Sequence, residues 1–172
     1  MSLFLRRYTN LAATIHLLRN RKVTLLDPAT WDDRNDAYLM AGYKRLKKAQ
    51  TVLALCFADC GETYHHWRVF SHGSDGVCIE FWKESLLSAF PQDSHTRHRE
   101  VDYRDILRLV PTEPPVPVEE LPFLKQTDFA DEREYRVVYI DENTRQETRD
   151  YPIELSMIES ITLSPWMTLR QR

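Results

Sequence analysis

The stretch Glu132-Arg133-Glu134-Tyr135-Arg136 concentrates side chains able to do acid–base and charge chemistry. On a strand, residues two apart point to one face. Glu132, Glu134, Arg136 and Val138 are therefore predicted to line one face, and Arg133, Tyr135, Val137 and Tyr139 the other. Two carboxylates on one face repel, so at least one needs a neighbouring cation or a raised pKa. Arg136 can supply that cation, as can an arginine of the N-terminal strand. The plainest outcome is a structural ion pair between Glu134 and Arg136 at a sheet edge, joined by Arg7, since such networks are common in folded proteins.

A second polar set lies in Trp31 to Asp36 (WDDRND), where Asp32, Asp33, Asn35 and Asp36 stand close together. Oxygen groups of this kind suit a hard cation such as Mg2+. A simpler role is capping of the following helix by Asn35 or Asp36, with Trp31 packed beneath. Capping leaves room for a ligand, because polar loops on rigid scaffolds often line sites. Trp31, Asp33, Asn35 and Asp36 are therefore further candidate binding residues, and no metal is expected. Cys56, Cys60, His65, His66 and Cys78 are of the types zinc accepts. Their spacing lacks C-x2-C, and adjacent His65 and His66 diverge on a helix. Cys56 and Cys78 sit in apolar strands, where free cysteine behaves as a small hydrophobe. The spacing supports a nucleophilic cysteine–histidine pair, with Cys60 attacking, no better than it supports zinc. His72 is expected in a turn near Gly73, facing ligand or solvent.

The elements that must position these groups follow from pattern and punctuation. Leu3 to Tyr8 reads as a strand, and Thr9-Asn10 can cap a helix carrying Leu11, Ile15, Leu17 and Leu18. Val23 to Leu26 is a second strand stopped by Asp27-Pro28, and Ala37 to Lys48 reads as a helix. Thr51 to Phe57 (TVLALCF) is an apolar run typical of a buried central strand. A helix over Thr63 to Ser71, a turn at Gly73 to Gly76, a strand at Val77 to Trp82 and a helix at Lys83 to Phe90 follow. Arg99 to Tyr103 reads as a strand. Val110 to Pro122, with Pro111, Pro114, Pro115, Pro117 and Pro122, is an extended crossing segment. Glu134 to Ile140 is a strand, Glu147 to Ile153 pairs back on it as a hairpin, and Glu159 to Leu163 is the last strand. The mixture predicts a single compact α+β domain over residues 1–172. Its sheet is mixed and largely antiparallel, with flanking helices and about six strands.

Composition narrows the class. The chain has 172 residues and only four glycines, too few for a glycine-rich phosphate cradle. No apolar run approaches the roughly 18 residues a membrane helix requires, and the N-terminus lacks the polarity of an export signal. Three cysteines form no disulfide framework, which favours a cytoplasmic location. Residues 1–50 hold ten Lys/Arg against four Asp/Glu, although the whole chain carries −3. That basic half is either a phosphate- or nucleic-acid-attracting surface or the solvated face of a helix around Lys44, Arg45, Lys47 and Lys48.

Taken in order, several stretches resemble the bacterial family known as domain of unknown function 2971. They are the opening LFLRRYT strand, the WDDRNDAY loop, Cys56-Phe57-Ala58, and the set Trp67, Phe70, Gly76, Val77, Cys78, Ile79 and Phe81. Glu132, Glu134, Tyr135 and Arg136 then match an E-x-E-y-R motif, and Ile158 to Ile161 the closing strand. Ala58 stands where the family has serine, and Phe70 where it has tyrosine. The resemblance implies a setting near mobile elements and phage-defence genes, hence a toxin or defence role.

The order of an N-terminal arginine, an apolar middle strand and a later Glu-x-Glu is also similar to the layout of ADP-ribosyltransferases. That similarity implies NAD as cofactor. Arg7, with Tyr8 beside it, would hold the dinucleotide phosphates. Glu134 would stabilise the ribosyl cation as nicotinamide leaves, in a glycosyltransferase-type reaction. Glu132 would orient or deprotonate a protein or nucleic-acid acceptor, and Trp67 or Tyr64 would stack on the nicotinamide. The middle-strand serine of that layout has no counterpart in LALCFAD. The alternatives are a non-catalytic ligand- or protein-binding module and a nucleic-acid-associated protein.

Overall fold

The computed structural model describes residues 2–71, 73–105 and 116–168. His72, Pro111, Pro114 and Pro115 lie outside the described residues. The chain runs β1 (Phe4–Asn10), α1 (Leu11–Asn20), β2 (Lys22–Leu26), α2 (Arg34–Leu46), β3 (Thr51–Ala58), α3 (Tyr64–Phe70) and β4 (Gly76–Trp82). It continues through α4 (Lys83–Leu87), β5 (Thr96–Glu100), β6 (Asp102–Arg104), β7 (Leu124–Gln126), β8 (Glu134–Asp141), β9 (Thr148–Pro152) and β10 (Ile158–Leu163). The fold is α+β with mostly antiparallel pairing, as predicted. Ten strands among the described residues exceed the expected six or so, partly because β6 and β7 are three residues each and too short to show a period. No helix among the described residues is long and apolar enough to cross a membrane.

The chain divides into two compact units, each assembled from separate stretches. The first comprises Met1–Val23, Phe57–Phe90 and Asp150–Arg172. Here β1 and β4 pair antiparallel from Phe4↔Trp82 to Asn10↔Gly76, and β10 covers the other edge of β4. Flanked on both sides, β4 buries Val77, Cys78, Ile79 and Phe81. Asn10 caps α1 by accepting from the Ala13 N–H at 2.9 Å. The helix buries Thr14 and Leu17 while Leu11 and Ile15 stay exposed, so its inner stripe is offset from the one the leucines predict. Gly76 is required by close approach, since a Cβ there would stand 2.6 Å from Ser71 Oγ.

The second unit comprises Thr24–Cys56 and Pro91–Arg149. Strand β8 is buried from Glu134 to Ile140 and pairs antiparallel with β5, from Thr96↔Tyr139 to Glu100↔Tyr135. Because β8 also pairs with β3, it is an interior strand, not the sheet edge expected for Glu134 and Arg136. A core of Met40, Tyr43, Val52, Ala54, Phe123, Val138 and Ile140 packs beside it, with Trp31 at its margin. Helix α2 begins at Arg34, earlier than predicted, because the capping residue is Asp33 and not Asn35 or Asp36. The predicted hairpin of β9 on β8 does not form. Instead β9 lies beside β2.

Candidate functional site

The second unit gathers its charged side chains at one point. Glu134 and Arg136 share a face of β8, and Arg136 is fully buried. Its Nε–H donates to Glu134 Oε1 at 2.6 Å and its Nη2 to Glu134 Oε2 at 2.9 Å. A second fork reaches Asp36, Nη1 to Oδ1 at 2.9 Å and Nη2 to Oδ2 at 2.6 Å. Nη1 also donates to the Pro122 carbonyl at 2.8 Å. These bonds match the full donor inventory of a guanidinium, which is what burying one demands. The Trp31 ring centre lies 4.8 Å from the guanidinium carbon, a cation–π distance.

Local structure explains how Asp36 arrives there. Asp33 Oδ1 accepts from the N–H groups of Asn35 at 3.0 Å and Asp36 at 3.1 Å, which starts α2. Asp36, Met40 and Tyr43 then form the inward stripe, so a carboxylate enters the core in the first turn, where the helix dipole favours it. Asn35 is exposed and contributes its backbone to the cap.

Glu132 does not share the strand. It ends a 3-10 turn over Thr127–Glu132, and Arg133 at φ 44° turns the chain into β8. The predicted common face is thereby broken, yet both carboxylates meet the same cation. Lys125 Nζ on β7 donates to Glu132 at 2.5 Å and Glu134 at 3.3 Å. It also lies 3.6 Å from Asp36 and 3.9 Å from Asp33. Lys125 is the residue that sequence reasoning missed. Its signal is a lone lysine following Phe123-Leu124, a few residues before two glutamates.

Four carboxylates thus share two cations in a buried setting. Burial alone would push the Glu134 carboxyl up, but the Arg136 and Lys125 cations outweigh it and hold it at about 2. Asp36 ends on the other side: burial raises it, with the Glu134 charge adding, against the pull of Arg136 and Lys125. Burial would depress Lys125, and the carboxylates of Glu134, Glu132 and Asp36 raise it instead. The Cys56 thiol beside Glu134 is pushed well up by burial and by that negative charge.

The other candidates belong to the first unit. Arg7 lies opposite Ile79 on β1. Tyr8 is buried and meets Trp67 edge-on at 5.3 Å. The Trp67 Nε1–H donates to Glu62 at 2.8 Å, and both residues line an open pocket of about 510 Å3 with Ile161, Thr162, Leu163 and Pro165. Tyr64 is exposed and rests edge-on against Trp166. The same unit joins a cysteine–histidine pair that the spacing supported only weakly, with Cys60 Sγ 3.7 Å from His66 Nε2. Part of the basic N-terminal half is neutralised within each unit, Lys22 by Asp150 at 2.6 Å and Lys47 by Glu119 at 3.1 Å.

No family model matches the chain, and neither a curated protein nor a solved structure matches it.

Proposed function

We propose that this protein is an NAD- or nucleotide-using domain of the ADP-ribosyltransferase type, with Glu134 and Glu132 in its reacting centre. The observation that carries the reading is the surplus of carboxylate over cation around Lys125. Departure of nicotinamide leaves positive charge on the ribose, and a fixed negative field in a poorly solvated site stabilises that charge. Held at about 2, Glu134 is anionic throughout the neutral range. Glu132, bound at Lys125, would take a proton from an acceptor. A cytoplasmic toxin or phage-defence protein acting on a protein or nucleic acid is the setting that the family resemblance adds.

A second reading, a non-catalytic ligand- or protein-binding module, is favoured by one observation: both Glu134 oxygens already accept bonds from Arg136. Nicotinamide release from NAD by the full chain separates the two. The enzyme reading expects release that Glu134→Gln and Glu132→Gln each reduce at least about a hundred-fold, with the variants' folding checked by circular dichroism. Failure of the wild type to release nicotinamide, with no rise in melting temperature on adding NAD, overturns it and leaves the binding module.

A further inference from the structure

Beyond β3 the chain turns through Asp59 to Glu62 before Thr63 caps α3. The cap oxygen of Thr63 accepts the backbone N–H of His66 at 3.2 Å and stands 2.5 Å from His66 Nδ1. When the ring gives its Nδ1–H to Thr63, the Nε2 lone pair is left facing Cys60 Sγ at 3.7 Å. The imidazole is fully buried, and the Tyr8 ring stacks on it at 5.4 Å between centres. Cys60 itself stays partly exposed. Its backbone is fixed from two sides: Arg6 donates to the Cys60 carbonyl, and neighbouring Asp59 is held by Lys83 at 2.6 Å. A nucleophile, a base within reach and a third group orienting the base are the parts an activated thiol needs.

We propose that Cys60, His66 and Thr63 form a nucleophilic thiol site that exchanges with small disulfides. His66 Nε2 takes the Cys60 S–H proton, and the imidazolium is held by Thr63 through Nδ1–H. The thiolate attacks one sulfur of the disulfide, the new S–S bond forms as the old one breaks, and the departing thiolate takes the proton back from His66. The products are a mixed disulfide on Cys60 and one free small thiol, with no other oxidant needed. The charged and titratable neighbours are Arg6 and Tyr8 on β1, Glu80 on β4, Glu62 in the turn and His65 on α3. A cation beside a thiol favours its thiolate, and carboxylates oppose it. The other two cysteines are built differently. Burial pushes Cys78 up to about 12 and raises Cys56 well above an ordinary thiol. This centre is independent of the NAD reading.

The test is the reaction of the full chain with 5,5′-dithiobis(2-nitrobenzoate), an aromatic disulfide, followed by stopped flow with peptide mass spectrometry. The native protein is expected to show a single fast thiol at pH 7, located at Cys60, and three thiols after denaturation. The fast phase disappears in Cys60→Ser and slows about ten-fold in His66→Gln. Thr63→Val slows it by a smaller factor. In the wild type, the pH dependence of the fast phase has its midpoint well below the ordinary thiol value of about 8.5. A wild-type midpoint at or above that value, or modification of Cys60 no faster than in the denatured chain, overturns the proposal whether or not the His66 variant folds.

Discussion

Arg136 and Glu134 in the second unit meet as full charges, whereas Cys60 and His66 in the first meet across a single sulfur–nitrogen contact of 3.7 Å. The charged centre is densely paired. Arg136 is spent on two carboxylates and a carbonyl, and Lys125 stands among four acids. The thiol centre joins a buried imidazole to a partly exposed cysteine. Ion pairing fixes protonation states over a wide pH range. Proton sharing between groups of similar acidity leaves them adjustable. The two sites thus have opposite expected responses to perturbation.

The largest break comes from deleting the shared cation. Arg136→Met leaves Glu134 and Asp36 buried with one cation fewer, and a loss of about 3–5 kcal/mol in urea unfolding is expected. Adding Asp36→Leu and Glu134→Leu to that variant should restore much of the loss, because the apolar set carries no unmatched charge.

Acid unfolding sharpens the same contrast. The folded-state pKa of Glu134 is depressed to about 2, against roughly 4.3 in an unfolded chain. Its stabilising contribution is therefore complete above that unfolded value and disappears as pH falls toward 2. Asp36 is raised, so its contribution has the opposite sign: the folded state takes that proton first, and ionising it as pH rises works against folding. Glu134→Gln should flatten the acid limb of a stability–pH curve, and Asp36→Asn should leave it steep.

Packing in the first unit gives a smaller effect. Gly76→Ala places a methyl against Ser71 Oγ and Cβ, and about 1–3 kcal/mol of destabilisation is expected. Ser71→Gly in the same chain should return part of it. The smallest effect is at the rim. Lys22 and Asp150 are close but both partly exposed, so Lys22→Ala should cost less than about 1 kcal/mol, and added salt should erase the difference. A cost near that of Arg136→Met would show that burial is not what separates the two pairs.

Much of the frame is legible in the sequence, because buried strands announce themselves by apolar runs. TVLALCF, VCIEFW and EYRVVYI are β3, β4 and β8. The Glu134–Arg136 pairing follows from a two-residue spacing alone. Their partners do not. Asp36 lies a hundred residues from Arg136, and its inward turn depends on Asp33 capping α2. Glu132 escapes the strand period because Arg133 adopts a left-handed conformation that a non-glycine residue rarely signals. The Cys60–His66 contact is local in sequence, yet it hinges on the path of the turn before Thr63, which no periodicity encodes.

The interleaved course of the chain has a consequence for synthesis from the N-terminus. The second unit has all its segments once Arg149 is made. The first must wait for β10, whose partner β4 was completed some eighty residues earlier. Until then β4 presents one edge of unpaired backbone groups along a run of Val77, Cys78, Ile79 and Phe81. A nascent or prematurely ended chain lacking Ile158–Leu163 would carry that sticky edge, and aggregation of such fragments would begin there.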